Sequence, residues 1–157
     1  INRNMTEPQA AVGLAQIRHA SRMSEGRRRM ADWYSEVLRR YPEIELAENP
    51  GPTSWSNYPI LLPSRVDTVA FQQACHSKGY QVRRYYWPTL AKGFTENAFK
   101  CSDLSVSTEI AERAVCLPLY ASVTAAELSE IEAILTVCLE PFDVVQSDEP
   151  RRIEQRR

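Results

Sequence analysis

Apolar residues recur at helical spacing in two segments near the start of the chain. In the first segment, Thr6 is followed three residues later by Gln9, with Pro8 between them, which is the pattern of a capped helix N-terminus. Serine and glycine between residues 19 and 26 weaken helix and predict a break near residues 19–24. The small and apolar residues of this first helix predict close packing against another backbone, and they are Ala10, Ala11, Gly13, Leu14 and Ile17.

A second amphipathic helix is predicted from about Ser24 to Tyr41, and Pro42 ends it. Its apolar stripe consists of Met30, Trp33, Val37, Leu38 and Tyr41. Its other face carries arginines interleaved with Asp32 and Glu36, and this mixture is typical of a solvated helix surface. The arginines are Arg27, Arg28, Arg29, Arg39 and Arg40.

The rest of the chain alternates between strand-like and helix-like patterns. The predicted elements are a strand over 55–62, a helix over 67–78, a strand over 80–87, a helix over 108–114, a strand over 115–119 and a helix that begins at Thr124. Glu127 completes a capping box with Thr124. Residues 89–107 have no clear period, and a connection of this length is typical of a functional loop.

This order of elements predicts an α+β fold. We expect a small mixed or antiparallel sheet, covered by helices and preceded by a long helical segment. The predicted organisation is a helical segment over 1–41, a small α+β domain over 42–142 and a polar tail over 143–157 that is expected to be mobile.

Composition narrows the class of protein further. The 157 residues carry a net charge of -1, so neither nucleic acid nor an anionic membrane surface is expected as a partner. Apolar runs stay far below the roughly 20 residues of a membrane helix. The first residue is Ile1 and not Met, from which we expect a chain cut from a longer one.

The four cysteines are scattered and contain no Cys-x-x-Cys pair, so we expect neither a zinc site nor a disulfide framework. Reduced, structural thiols indicate a cytoplasmic protein. No acidic or cysteine cluster surrounds His19 or His76, and no metal site is predicted. Cys75 and His76 are helix neighbours that point to different faces, which argues against a nucleophile pair.

The chain has no glycine-rich phosphate loop and no Gly-x-Ser-x-Gly motif, which leaves residues 82–88 as the unusual segment. Arg83 and Arg84 are adjacent on the predicted strand and would point to opposite faces, so one of them at most faces a given pocket. That arginine could bind a carboxylate or phosphate, and the aromatic residues 85–87 could stack on a planar or sugar ring. An ordinary strand with one exposed arginine is the alternative.

Four segments carry a resemblance to a known family. They are Asn-Arg-Asn-Met-Thr-Glu-Pro-Gln-Ala-Ala-Val-Gly-Leu at 2–14, Ser-Asn-Tyr-Pro-Ile at 56–60, Val-Arg-Arg-Tyr-Tyr-Trp-Pro at 82–88 and Val-Cys-Leu-Pro-Leu-Tyr at 115–120. In this order and spacing, they resemble motifs of the DegT/DnrJ/StrS family of sugar aminotransferases. The likeness extends from residue 2 to about residue 140.

The resemblance implies a fold-type-I aminotransferase, whose large domain binds pyridoxal phosphate and whose small C-terminal domain closes over the site. Residues 1–41 would then link to a large domain that this chain lacks. The family's Schiff-base lysine stands in a Ser-x-x-Lys setting upstream of the position of Asn2, and Lys78, Lys92 and Lys100 do not match it. We therefore expect no catalytic residue, and no bound cofactor, in this chain alone.

The resemblance also implies roles for single residues. Asn2 matches an asparagine that reaches the cofactor phosphate of the neighbouring subunit in a homodimer. Arg83, Arg84 and Tyr85 resemble residues near the substrate entrance. The chain departs from the family at Asn4, where Arg or Lys is usual, and at Thr89-Leu90-Ala91, where related sequences often carry a histidine.

Three functions remain open at this point. The first is the C-terminal part of an enzyme that moves an amino group, from glutamate, to a keto sugar nucleotide for polysaccharide, lipopolysaccharide or deoxysugar synthesis. The second is a non-catalytic, aminotransferase-like protein that binds or regulates. The third is a stand-alone α+β dimerisation module. A Ser-x-x-Lys motif encoded upstream of Ile1 would favour the enzyme.

Overall fold

A computed structural model describes residues 5–46, 51, 53–90 and 104–143, with side chains as far as residue 140. These residues form five helices and one three-stranded sheet. The elements are α1 (Glu7–Ile17), α2 (Ala20–Leu38), β1 (Glu45–Leu46), β2 (Tyr58–Leu61), α3 (Thr68–Ser77), α4 (Ser105–Arg113), β3 (Ala114–Leu117) and α5 (Ala125–Asp143). The predicted α+β class, with a small sheet and covering helices, is confirmed.

The first helix begins as predicted, and the second begins earlier. The Thr6 hydroxyl accepts from the Gln9 amide, and the Gln9 side chain accepts from the Thr6 amide at 2.9 Å. The break between the helices is confined to Arg18 and His19, and α2 starts at Ala20. The weak helix propensity of residues 21–26 does not interrupt α2, because propensity is a small local term that packing overrides.

All side chains of α1 are exposed or half-buried. The exposed fraction is 62% for Val12, 65% for Leu14 and 70% for Ile17. The close packing predicted for this helix therefore has no partner among the residues that the structure describes. It remains a prediction about a contact with another chain or another part of the protein.

The sheet is antiparallel, in the order β1–β2–β3. Strands β2 and β3 pair from Tyr58 opposite Leu117 to Leu61 opposite Ala114. Strand β1 has only two residues, which is too short to produce a sequence pattern, and it was not predicted.

The predicted strand over 80–87 is wrong. Only Arg83 pairs with the sheet, through amide-to-carbonyl bonds with Cys116 of 3.1 and 2.7 Å. The chain then turns, and the Trp87 amide donates to the Arg84 carbonyl at 3.3 Å. The peptide bonds Tyr85–Tyr86 and Trp87–Pro88 are cis. Aromatic residues favour strands only where neighbouring strands can pair with them, and here a turn takes residues 84–87 off the sheet.

The remaining helices are present as the sequence predicts, but they begin or end at other residues than predicted. Asp67 caps α3 by accepting from two backbone amides, and Gly79 ends the helix with a φ of +79°. Helix α4 begins before the predicted Thr108. Helix α5 has the predicted capping box, in which the Thr124 amide donates to the Glu127 carboxylate at 2.7 Å.

The core lies between the sheet and helices α2, α3 and α5. Its fully buried side chains are Tyr34, Leu38, Ile60, Leu62, Phe71, Cys75, Val82, Val115, Leu117 and Leu135. Helices α3 and α5 are in contact, and Arg40 at the end of α2 forms an ion pair of 2.7 Å with Glu132 of α5. All four residues of β3 are buried.

Several predictions fall outside the described residues: Asn2, Asn4, Lys92, Lys100, Cys101, most of the 89–107 connection and the polar tail beyond residue 143. Cys75, Cys116 and Cys138 are buried free thiols. In the described ranges, no helix is long and apolar enough to cross a membrane.

Candidate functional site

The backbone around Arg83 is held from two sides. On one side, Arg83 forms its paired hydrogen bonds with Cys116 of β3. On the other side, the Val82 carbonyl accepts from the Gln72 amide group at 3.1 Å and from the Nε2–H of His76 at 2.8 Å. Helix α3 and strand β3 therefore fix the position from which the Arg83 side chain extends.

Arg83 and Tyr85 lie together on one wall of a surface groove. The Arg83 Nη1 donates to the Tyr85 hydroxyl at 2.6 Å, and the guanidinium carbon is 5.9 Å from the centre of the Tyr85 ring. We call this cavity, of about 230 Å³, the Arg83 groove. Its lining residues are Ser56, Asn57, Gln81, Arg83, Tyr85, Cys116, Leu117, Pro118, Leu119 and Tyr120.

Arg84 does not line the groove. Its guanidinium carbon lies 4.6 Å from the centre of the Trp87 ring, and its Nη2 donates to the Glu112 carbonyl at 3.4 Å. Its Nε is buried without a hydrogen-bond partner in the described part of the chain. Tyr86 stacks on Tyr85 with ring centres 5.3 Å apart. The two predicted arginines are therefore separated.

The lining of the Arg83 groove favours binding over catalysis. Arg83 supplies a permanent positive charge, Asn57 and Gln81 supply amides, and Tyr85 and Tyr120 supply rings and hydroxyls. Burial raises the pKa of the Cys116 thiol, although a hydrogen bond with the Tyr85 backbone lowers it in part. This thiol is therefore a poor nucleophile. The described lining residues include no carboxylate or histidine that could act as an acid or base.

The sequence predicted Arg83 and Tyr85 as site residues but not the other residues that line the groove. Ser56 and Asn57 precede β2, and Pro118 to Tyr120 follow β3. The signal was present, because both stretches belong to the segments 56–60 and 115–120 that carry the family resemblance. Three of the four resembling segments thus meet at one groove.

Two larger clefts lie beside residues 121–123. One, of about 690 Å³, includes Arg22 and Arg29, and the other, of about 730 Å³, includes Arg27 and Lys78. The second cleft shares Leu119 and Tyr120 with the Arg83 groove. In the described ranges, no group of three or more His, Cys, Asp or Glu residues could hold a metal ion.

Comparison with known proteins gives a consistent result. The model of the DegT/DnrJ/EryC1/StrS aminotransferase family matches residues 1–136. A dTDP-4-amino-4,6-dideoxy-D-glucose transaminase of Shigella dysenteriae is 27% identical over 135 residues, which are 83% of this chain and 37% of that protein.

Solved structures agree with this match. A protein of Bacillus cereus ATCC 10987, assigned as a PLP-dependent aminotransferase, is similar with a TM-score of 0.76 and 25% identity over 89% of this chain and 38% of its own. PseC of Helicobacter pylori, an aminotransferase of pseudoaminic acid biosynthesis, has the same fold with a TM-score of 0.78 and 22% identity over 88% of this chain and 38% of its own. The chain spans a little over a third of the length of these relatives.

Proposed function

Since the chain belongs to the DegT/DnrJ/EryC1/StrS aminotransferase family, we propose that it is the C-terminal part of an enzyme that aminates a keto sugar nucleotide, with glutamate as the amino donor. The observation that carries the proposal is the convergence of segments 56–60, 82–88 and 115–120 on the Arg83 groove. The transaminase of Shigella dysenteriae, whose name specifies a sugar nucleotide, supports the substrate class. The product would enter lipopolysaccharide, other polysaccharide or deoxysugar synthesis.

Within this function, Arg83 binds an anionic group of the substrate. A sugar nucleotide carries phosphates and the amino donor carries carboxylates, and a guanidinium pairs with either by charge-assisted hydrogen bonds. The Tyr85 hydroxyl, 2.6 Å from Nη1, holds the guanidinium in place, and its remaining N–H groups would bind the anion. Arg84 packs on Trp87 and has a structural role.

The family implies pyridoxal phosphate, which when bound supplies the carbonyl group that accepts and passes on the amino group. The described residues do not fit this cofactor by themselves. Lys78, the lysine within the described part, is exposed and follows the C-terminal end of α3, where backbone carbonyls disfavour a phosphate. We propose that the cofactor lysine lies in a part of the protein outside this chain.

The remaining assignments rest on the family. We propose a homodimer in which Asn2, which lies outside the described residues, contacts the cofactor phosphate of the neighbouring subunit. We also place the protein in the cytoplasm. The buried free thiols of Cys75, Cys116 and Cys138 support a reducing compartment.

A non-catalytic protein that binds or regulates is the second candidate. It is favoured by Asn4, which replaces the usual basic residue, and by Thr89, which stands where related sequences often carry a histidine. The Thr89 hydroxyl is buried without a hydrogen-bond partner in the described ranges. A Ser-x-x-Lys motif upstream of Ile1, with an acidic residue before it, would decide for the enzyme.

The test compares Arg83→Ala with Arg84→Ala in the full-length parent protein. A charge-assisted hydrogen bond is worth about 1.5–3 kcal/mol, so Arg83→Ala should raise the KM for the sugar nucleotide or for glutamate about ten-fold or more. Arg84→Ala is the matched control, since it removes the same side chain next to the groove and should leave both KM values unchanged. Wild-type kinetics for Arg83→Ala with both substrates would contradict the proposed role.

A further inference from the structure

We infer that Tyr34 is a positioning residue for the Arg83 groove, because it contacts two of the segments that form the groove and also contacts Tyr80, which lies two residues before the third segment. This inference rests on the proposed function for the claim that the groove binds substrate. Tyr34 lies in α2 and is fully buried, so it cannot touch a ligand itself. Any effect on binding must pass through the groove walls.

The hydroxyl of Tyr34 joins Pro118 of segment 115–120 to Tyr80, which precedes segment 82–88. It donates to the Pro118 carbonyl at 2.8 Å, on the wall that follows β3. It also forms a hydrogen bond with the hydroxyl of Tyr80, three residues before the groove residue Arg83. Since Tyr34 has one hydroxyl proton and Pro118 can only accept, Tyr80 must donate to Tyr34. The two bonds therefore form one directed chain between the walls.

The ring of Tyr34 reaches the third segment. Its centre lies 5.0 Å from the centre of the Tyr58 ring, and Tyr58 directly follows the groove residue Asn57. Tyr58 is buried and begins β2, so this contact fixes the end of the strand from which Asn57 extends. One side chain thus contacts segments 56–60 and 115–120 directly and is linked to segment 82–88 through Tyr80.

Two further residues of α2 support the same wall. Met30 lies one turn before Tyr34, and its sulfur accepts from the Tyr120 amide at 3.2 Å. Gly26 lies one turn earlier, where an added Cβ atom would be 1.8 Å from the Ala121 carbonyl oxygen. Residues four apart share a helix face, so Gly26, Met30 and Tyr34 present one continuous support to residues 118–121.

The test uses Tyr34→Phe in the full-length parent protein. This change keeps the ring and removes both hydroxyl bonds, so the KM of the substrate that Arg83 binds should rise about three-fold or more, while kcat stays near its wild-type value. Thr68→Val is the matched control. It also removes one buried hydroxyl that donates to a backbone carbonyl, that of Glu112 at 2.7 Å, but Thr68 does not line the groove.

The double variant Tyr34→Phe with Arg83→Ala should bind no worse than Arg83→Ala alone, because both changes act on one contact. Fully additive effects, or equal KM values for Tyr34→Phe and Thr68→Val, would overturn the inference. If Tyr34→Phe does not fold, Met30→Leu conserves the volume and removes only the acceptor of the Tyr120 amide. It should raise the same KM, and an unchanged KM would overturn the inference.

A second readout in the 157-residue chain separates this inference from the proposed function. Amide exchange at Cys116 and Tyr120 should be faster in Tyr34→Phe than in Thr68→Val, whatever the groove binds. Equal exchange at these amides would overturn the positioning role. If amide exchange is faster in Tyr34→Phe but Arg83→Ala has wild-type kinetics, the result contradicts the proposed function and leaves the positioning role of Tyr34 supported.

Discussion

At the scale of single residues, Gly26 is needed because another part of the chain lies against it, and not because the helix must be flexible there. Alanine is better than glycine in a helix by about 1 kcal/mol, so a change to alanine would stabilise an open helical site. At Gly26 the new methyl group would meet the Ala121 carbonyl, while at Gly13 in α1 nothing lies within 4 Å. The two glycines therefore form a matched pair.

We expect Gly26→Ala to lower the free energy of unfolding by about 1–3 kcal/mol, the usual cost of overpacking. Gly13→Ala should leave the urea midpoint unchanged or raise it slightly. Urea unfolding of the 157-residue chain, followed by circular dichroism, measures both. A midpoint that rises equally in the two variants would show that Ala121 moves aside without cost.

Single-residue features set by local contacts, such as the capping boxes at Thr6 and Thr124, are present as the sequence predicts. Strand alternation predicted that Tyr85 and Tyr86 face opposite ways, but this stretch turns off the sheet and the two rings stack on each other, so only the expectation that one arginine at most lines a given pocket agrees with the structure. Gly26 was interpreted as a helix breaker because its partner, Ala121, is distant in the chain. Likewise, the Tyr34 hydroxyl bonds to Tyr80 and Pro118 have no sequence signal, since each joins residues far apart in the sequence.

At the scale of elements, α1 differs from α2, α3 and α5, the helices that contribute to the core. It has 11 residues, and none of them is buried. Helices shorter than about 12–15 residues are marginal in water without tertiary contacts. The capping box at Thr6 and Gln9 fixes where the helix starts, but it does not supply the missing contacts.

We therefore expect the amides of α1 to exchange with solvent well before those of α3 and α5 in a monomer of this chain. Hydrogen exchange followed by mass spectrometry, with the oligomeric state measured in parallel, makes the comparison. Slow exchange across residues 7–17 in a proven monomer would contradict it. Protection that appears only on self-association would identify the partner as a second copy.

Elements with a repeating pattern were predicted well, and elements defined by pairing were not. The periodic stripe of α2 and the caps of α1 and α5 are local signals, and these helices are present. The segment 80–87 has strand composition, but whether it pairs depends on where β3 lies. Strand β1 forms only because Glu45 and Leu46 meet Leu61 and Ile60 of β2.

At the scale of the whole molecule, the core contains ionisable groups that are kept neutral. Burial raises the pKa of Tyr34, Tyr58 and Tyr80. A raised pKa in the folded state means that the folded protein keeps its phenol protons when the unfolded chain loses them. The resulting stability is fully present below the ordinary tyrosine pKa, near 10, and is lost as the pH rises above it.

We expect the free energy of unfolding to fall steeply above about pH 10. Phenolate absorbance from these three tyrosines should appear only together with loss of the far-ultraviolet dichroism of the fold. Tyr34→Phe, which removes one such group, should make the alkaline loss of stability less steep. Phenolate absorbance from all seven tyrosines before any loss of dichroism would contradict this expectation.

For the candidate site as a whole, the sequence identified the segments but not their meeting point. Segments 56–60, 82–88 and 115–120 were each recognised by their residues, yet their convergence on one groove depends on the β2–β3 pairing and on α2. Asn57 and Tyr120 became candidates only once that arrangement was known.

The bonds that support the Arg83 groove end on backbone atoms of its lining segments, while the side chains that form these bonds belong to α2 and α3 outside the groove. The bonds at Val82, Arg83, Pro118 and Tyr120 use carbonyls and amides, which every residue type but proline provides in full. The side chains on the rim, at positions 57, 81 and 120, are exposed and take no part in those bonds. Substitutions there can exchange one ligand preference for another while the scaffold stays intact, so evolution or a directed library can vary specificity independently of folding.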